Sequence, residues 1–117
     1  MSFENKRLGI VVGSNPTGGK TLLAIRLAEA AIAAGLPVSV FLVDEGIYCA
    51  LESTTNKSLL KRFHALARDG VSITLCSVML KSHGVPEKAV KSGIEIGSLL
   101  YFVKMINDCD QTLFFMG

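Results

Sequence analysis

Cysteine and histidine are scarce in this sequence, and their spacing excludes several kinds of site. The three cysteines, Cys49, Cys76 and Cys109, are an odd number and contain no CxxC pair, which argues against both a disulfide framework and a zinc site. No group of His, Cys and carboxylate residues has metal-ligand spacing, so we expect no metal and no cofactor. Free thiols are typical of the reducing cytoplasm, where we expect this protein to work.

Long apolar runs and a strong net charge are also missing. No stretch approaches the ~20 apolar residues of a membrane span, and no apolar region of a signal peptide follows the opening MSFENKR. The net charge is only +2, and the lysines and arginines are spread along the chain. A nucleic-acid interface needs a clustered basic face, so we expect neither a membrane partner nor direct nucleic-acid binding.

Neither repeats nor linkers divide the chain, so residues 1–117 are expected to form a single domain. Continuous apolar runs at 8–12, 37–43 and 71–76 are typical of buried parallel strands. A final strand is predicted at 112–115, and 93–97 reads as a short strand-like piece. Helical patterns alternate with these runs. The order predicts a small three-layer α/β domain with a mostly parallel sheet of about five strands and helices on both faces.

The helical segments are predicted at 20–34, 59–68 and 99–107, with a short helix at 86–91 and a polar loop at 52–57. In the second helix, Lys61, Arg62 and Arg68 lie on the polar face. Ser98 is a suitable N-cap for the helix at 99–107.

The helix at 99–107 is apolar on more than one side. One predicted face comprises Leu99, Phe102, Val103 and Ile106, while the remaining positions include Leu100, Tyr101 and Met105. A helix that is apolar on both sides is buried on both sides, so this pattern predicts a subunit interface.

Cys76 is the leading candidate for a chemical role. It closes the predicted strand 71–76, and in open α/β sheets ligands bind just beyond the carboxyl ends of the strands. The loop expected after it carries Lys81 and His83, whose positive charge would favour the nucleophilic thiolate. Such a cysteine suits sulfur transfer. The alternative interpretation is a small apolar residue that ends a strand. Cys49 and Cys109 are interpreted as structural residues.

Other polar residues are expected along the same edge of the sheet. Asp44 and Glu45 follow the second strand, and adjacent parallel strands end on one edge. These two carboxylates are therefore candidates to line a pocket over Cys76, together with Gly13, Asn15 and Tyr48.

The segment GSNPTGGKT at 13–21 resembles a phosphate-binding loop between a strand and a helix. The motif requires a glycine, four residues and then GK with Ser or Thr. Counting back from Gly19 places Ser14 where that glycine belongs, and Pro16 removes a backbone donor. Nucleotide binding is therefore the third alternative, behind a plain turn and a weak anion site at the helix N-terminus.

Taken with their order, several segments resemble the DsrE/DsrF-like family, and within it the TusD/DsrE-type sulfur-relay subunit. The resemblance covers nearly the whole chain and is carried by LGIVVGSNPTGG, AAIAAGLPVSVFLV, DEGIYCA, GVSITLCSVMLKSHGVPE and DCDQTLFF. Cys76 matches the sulfur-carrying cysteine of the family, and Gly84 with Val85 match its closing pair. Ser82 and His83 depart from the arginine-rich positions that often precede this glycine.

The resemblance implies a persulfide carrier of the sulfurtransferase type. Cys76 would accept sulfane sulfur from an upstream donor protein and pass it to a downstream carrier protein, with Lys81, His83 and Gly84 as supporting residues. In relatives this sulfur enters tRNA thiolation or dissimilatory sulfur metabolism. The resemblance also implies a trimer or hexamer, formed by one chain or with related subunits. The alternative within the same fold is a non-catalytic structural or small-ligand-binding subunit.

Overall fold

The structure is a computed structural model that describes residues 6–54 and 56–117. The first five residues, part of the segment considered for a signal peptide, and Thr55 of the predicted polar loop lie outside the described residues. The strands are β1 (Leu8–Val12), β2 (Val38–Leu42), β3 (Ser72–Cys76), β4 (Glu95–Gly97) and β5 (Gln111–Phe115). They form one sheet in the order β4-β3-β2-β1-β5. Every pairing is parallel, which confirms the predicted α/β fold.

The connections between the strands are mostly helical. The α-helices are α1 (Gly19–Ala33), α2 (Lys57–Arg68), α3 (Ser77–Ser82) and α4 (Leu99–Asp108), with 3₁₀ helices at Asp44–Ala50 and Glu87–Ala89. The Asn56 side chain caps α2 by accepting a hydrogen bond from the Leu59 N–H at 3.0 Å. Ser98 caps α4 in the same way, as predicted, through the Tyr101 N–H at 3.2 Å.

Two connections differ from the sequence predictions. Residues 77–83, expected to form a loop, contain α3, whose Leu80 is buried against the main core. The short helix expected at 86–91 is only the 3₁₀ turn Glu87–Ala89. Within the described part of the chain, no helix is both long and apolar enough to cross a membrane.

The period of two in the strands divides the apolar side chains between the two faces of the sheet. One face, covered by α1 and α2, carries the larger core. Its strand residues are Ile10, Val12, Val38, Val40, Leu42, Ile73 and Leu75. The helices contribute Ala24, Ile25, Ala28, Leu59, Phe63 and Leu66. A parallel sheet is stable only when both faces are covered, and this core covers the first of them.

The second face is covered by α4 and holds a much smaller core. Its buried members are Val11, Phe41, Cys76 and Met105. The Phe41 ring stacks on Phe102 with 4.5 Å between the ring centroids. The packing between α4 and the sheet therefore depends on a few large side chains.

The inward face of α4 differs from the predicted one. Met105 is buried and packs beside Tyr101 and Phe102, whereas Leu100 and Val103 are 71% and 62% exposed. Leu99 and Ile106 are exposed as well. Leucine, valine and phenylalanine are similarly apolar, and on the buried side Tyr101 and Phe102 stack on Phe41 while Met105 packs beside them. The outer side of α4 is left as an apolar surface.

Gly46 marks the closest approach between the 3₁₀ helix Asp44–Ala50 and β1. A Cβ atom at Gly46 would overlap the carbonyl group of Val12, a backbone contact that cannot be relieved by a side-chain movement. The chain therefore requires glycine at this position if the segment is to pack on the end of β1.

Gly46→Ala is expected to lower the free energy of unfolding by roughly 1–3 kcal/mol, because the added methyl group must displace backbone. Gly19→Ala is the matched control: a methyl group there would meet no neighbouring atom within 4 Å, and the φ of Gly19 is not positive. We expect it to leave stability unchanged or to raise it by up to about 1 kcal/mol. Urea denaturation measures both changes, and equal stability of the two variants would contradict the steric argument.

Candidate functional site

Cys76 lies where the sequence predicts, at the last position of β3. It is also the residue immediately before α3, so the strand ends and the helix begins at this thiol. The side chain is 0% exposed and packs with Val11, Phe41 and Met105 on the α4 side of the sheet. The thiol thus occupies the chemically favourable edge of the sheet, but helix α4 covers it.

His83 ends α3 and is the centre of a small polar cluster. Its Nδ1 lies 3.0 Å from the Tyr48 hydroxyl, and its Nε2 lies 3.7 Å from the Asp44 carboxylate. The Asp44 side chain is 60% exposed, so solvent screens its attraction to the imidazole. The hydrogen bond to Tyr48 is therefore the contact that fixes the ring.

Asp44 has an unusual backbone conformation, with φ at +47°. Aspartate tolerates this left-handed region better than most residues, because its short side chain bonds locally. Backbone strain of this kind is often found at functional sites, which supports Asp44 as a site candidate. Glu45, the next residue, is exposed at the start of the same 3₁₀ helix.

Gly84 has a conformational role in this cluster. Its φ is +68°, and the chain reverses so that the Val85 N–H donates to the Leu80 carbonyl at 2.8 Å. This is the left-handed ending that glycine provides after a helix. Gly84 thereby places His83 at the end of α3. Lys81, which lies in the last turn of that helix, is exposed.

Asn15 shapes the loop between β1 and α1. Its side-chain oxygen accepts from the Thr17 N–H at 2.8 Å and from the Thr17 hydroxyl at 2.7 Å. Its backbone carbonyl accepts from the Thr21 hydroxyl at 2.6 Å. These contacts hold one wall of a pocket of about 280 Å³. The pocket, called here the edge pocket, is lined by Asn15, Pro16, Thr17, Tyr48, Ser53 and Thr54.

Two further residues of the phosphate-loop-like segment, Gly13 and Lys20, contact the end of β5 and the residue after it. The Gly13 N–H donates to the Phe115 carbonyl at 2.8 Å, and a side chain on Gly13 would collide with Met116. The Lys20 ammonium group donates to the Met116 carbonyl at 2.7 Å. Gly13 and Lys20 therefore join the ends of β1 and β5, and neither lines the edge pocket.

The other two cysteines are poor nucleophiles at neutral pH. Burial raises the pKa of the Cys49 thiol to about 12. The pKa of Cys109 is also raised, chiefly by partial burial and further by Asp108 and Asp110, while Arg7 opposes the shift. For Cys109, burial is a larger cause than the two neighbouring aspartates.

The structure divides the predicted site residues into two groups. Asn15 and Tyr48 line the edge pocket, and Tyr48, which packs against the larger core, connects the pocket to His83 and Asp44. Cys76 packs against the smaller core, on the opposite face of the sheet. Sequence reasoning did not include Ser53 and Thr54, which line the pocket; their only signal was polarity just after the 3₁₀ helix.

Comparisons with known proteins agree with this architecture. The ychN protein of E. coli superposes with a TM-score of 0.84 at 22% identity, covering 94% of this chain and 99% of that one. The protein of unknown function MTH1491 from Methanobacterium thermoautotrophicum superposes with a TM-score of 0.79 at 15% identity, covering 93% and 98%. The uncharacterized protein MK0008 of Methanopyrus kandleri is 22% identical over 110 residues, 91% of each chain. The model of the DsrE/DsrF-like family matches residues 6–115, and the chain belongs to that family.

Proposed function

We propose that this protein is a sulfur-relay subunit that carries sulfane sulfur as a persulfide on Cys76. The observation that carries the proposal is the position of Cys76 at the junction of β3 and α3, on the carboxyl edge of a parallel sheet. Membership of the DsrE/DsrF-like family supports it. The raised pKa values of Cys49 and Cys109 make these two thiols poor candidates for the carrier.

The transfer involves two exchanges with no net oxidation or reduction. In the first, the Cys76 thiolate attacks the outer sulfur of a donor persulfide, the sulfur–sulfur bond of the donor breaks, and the donor leaves as a thiolate. In the second, an acceptor thiolate attacks the outer sulfur now on Cys76 and regenerates the Cys76 thiolate. The partners are therefore an upstream donor protein and a downstream carrier protein in a reducing cytoplasm.

Burial of the thiol means that loading requires a local opening. Helix α4 covers Cys76 through Met105, Tyr101 and Phe102. A thin layer with few buried contacts opens more easily than the main core. We propose that α4 or the short α3 moves to admit the donor persulfide.

The outer side of α4 is proposed to bind a second copy of this chain. Leu99, Leu100, Val103 and Ile106 form an exposed apolar surface there. On β5, Phe114 is the register partner of the inward-facing Val11 and so lies on the same side of the sheet, yet it is 56% exposed. An apolar surface of this kind marks an interface, and the family resemblance implies a trimer or hexamer.

The second candidate is a non-catalytic subunit that binds a small ligand at the edge pocket. Complete burial of Cys76 favours it, since a structural cysteine is expected to be inaccessible. The edge pocket would then supply polar contacts from Asn15 and Tyr48. The two candidates differ in the behaviour of the Cys76 thiol.

After incubation with glutathione persulfide, the protein is expected to gain one sulfur atom by intact mass, and a reductant should remove it. Cys76→Ser should lower this gain at least about tenfold, because the attacking thiolate is absent. Cys49→Ser and Cys109→Ser are the matched controls and should still load. Undiminished loading of folded Cys76→Ser would contradict the assignment.

Alkylation at pH 8 separates the two candidate functions. Cys49 and Cys109 should react slowly with iodoacetamide, since their raised pKa values keep them protonated. A sulfur relay predicts that Cys76 reacts faster than both in the native protein, as measured by peptide mass spectrometry over time. A rate for Cys76 no higher than that of Cys49 would favour the ligand-binding subunit.

Leu100→Glu with Val103→Glu should dissociate the oligomer, because two carboxylates would be buried in an apolar contact. Light scattering after gel filtration gives the mass of the assembly, and circular dichroism shows whether the subunit remains folded. The control Leu100→Met keeps the surface apolar and should keep the assembly. A wild-type protein that is monomeric at ~100 µM would refute this interface.

A further inference from the structure

A groove along α2 is lined by basic side chains that come from two separate parts of the sequence. One face of α2 carries five residues at helical spacing: Lys57, Lys61, His64, Ala65 and Arg68. Together with Glu52, Leu60 and Lys91 they line a groove of about 800 Å³, called here the α2 groove. Its volume falls in the range of ligand-binding clefts.

The wall opposite α2 is a fixed part of the fold. Leu51 and Val90 form an antiparallel bridge. The Glu52 N–H donates to the Ala89 carbonyl, and the Lys91 N–H donates to the Ala50 carbonyl, both at 2.8 Å. Glu52 and Lys91 are therefore held in position by backbone contacts, and the groove has a defined shape.

The charge of the α2 groove differs from that of the remaining surface. It contains four of the 12 Lys and Arg residues and one of the 10 acidic residues, a net +3 in a chain of net +2. The rest of the chain is therefore slightly acidic. In the part of the chain that the structure describes, Glu52 is the sole acidic side chain of the groove, and it already lies 3.7 Å from Lys91. Among the described residues, Lys57, Lys61 and Arg68 have no carboxylate partner within 4.0 Å.

His64, Leu60 and Ala65 line the groove between the charged side chains. The Nδ1 of His64 is buried with no hydrogen-bond partner among the described residues. Buried polar atoms are normally satisfied, so this atom is a group that the described fold does not use. Leu60 and Ala65 supply apolar surface between the charges.

The shape of the charge distribution selects one kind of ligand. From Lys57 to Arg68 the helix rises by roughly 16 Å, which is longer than a single phosphate group can span. Within residues 6–54 and 56–117, no Phe, Tyr or Trp lines the groove, so it offers nucleic-acid bases a poor stacking platform, with His64 as its one ring. An elongated ligand with several anionic groups and some apolar surface fits both observations.

We propose that the α2 groove binds an acidic amphipathic segment of a partner protein. Carboxylates of that segment pair with Lys57, Lys61 and Arg68, and its apolar side chains lie over Leu60 and Ala65. This is the helix-in-groove mode of recognition with charge complementarity added. The site is independent of sulfur transfer, because α2 and Cys76 pack on opposite faces of the sheet.

The test uses a fluorescein-labelled peptide of about 15 residues, with Glu at helical positions i, i+4, i+7 and i+11 and Leu beside them. A peptide of the same composition with its Glu residues scrambled around the helix is the ligand control. Binding is measured by fluorescence anisotropy at about 0.1 M salt, where charges are only partly screened.

Lys61→Glu with Arg68→Glu should weaken binding of the patterned peptide at least about tenfold, because attraction becomes repulsion. Arg26→Glu with Lys88→Glu gives the same net charge from exposed positions outside the groove. That matched variant should change affinity less than about twofold. Lys61→Gln with Arg68→Gln should show an intermediate loss, and thermal melts confirm that each variant is folded.

Several outcomes would overturn the proposal. Equal losses in the two charge-reversed proteins would mean attraction by overall charge alone. Equal binding of the patterned and scrambled peptides, or no binding of either, would exclude recognition of a helical acidic segment. Groove-dependent binding of a uridine oligonucleotide that is tighter than binding of the peptide would identify a nucleic-acid site instead. None of these outcomes depends on persulfide loading of Cys76.

Discussion

The two-residue period of β3 determines where the candidate chemistry lies. Leu75 points into the large core under α1 and α2, and the next residue, Cys76, must therefore point to the opposite face. The register is fixed on both sides of the strand, since Leu75 pairs with Leu42 and Cys76 pairs with Gly97. A slip of one residue would exchange the two side chains and place a leucine under α4. The thiol is thus held under α4 by the same alternation that builds the core.

The two sides of helix α4 differ in what they contact. Its inner side covers Cys76 with Met105 and two aromatic rings, and its outer side is the exposed apolar surface. A second copy bound to the outer side would restrain α4 and strengthen the cover over the thiol. If the proposed assembly forms, assembly and access to Cys76 are coupled through one helix, whereas the edge pocket on the other face lies outside this coupling.

The fold was predictable because buried parallel strands are continuous apolar runs, and three such runs separated by helical patterns allow few arrangements. The position of Cys76 at a strand end followed directly. Its burial did not, because a sequence shows the period of a strand but not which helix covers each face. The side of α4 that packs inward was also beyond prediction, since Leu100 and Phe102 are comparably apolar and the stacking of Phe102 on Phe41 is a tertiary contact. Helix α3 was missed because six residues are too few to show a helical period.

The contacts of the basic residues on α2 were the hardest feature to predict from the sequence, because they depend on how the helices pack. Lys61, Arg62 and Arg68 lie on the polar side of α2, but their surroundings differ. Arg62 turns to α1 and forms a two-contact ion pair with Glu29, which lowers the pKa of that carboxyl group. Lys61 and Arg68 instead face the α2 groove. The packing of α1 against α2 therefore determines that Arg62 joins the two helices, whereas Lys61 and Arg68 remain available to a partner. Since α2 and α4 cover opposite faces of the sheet, a protein bound at the α2 groove would leave the α4 surface open to a second copy, and both contacts can form at once.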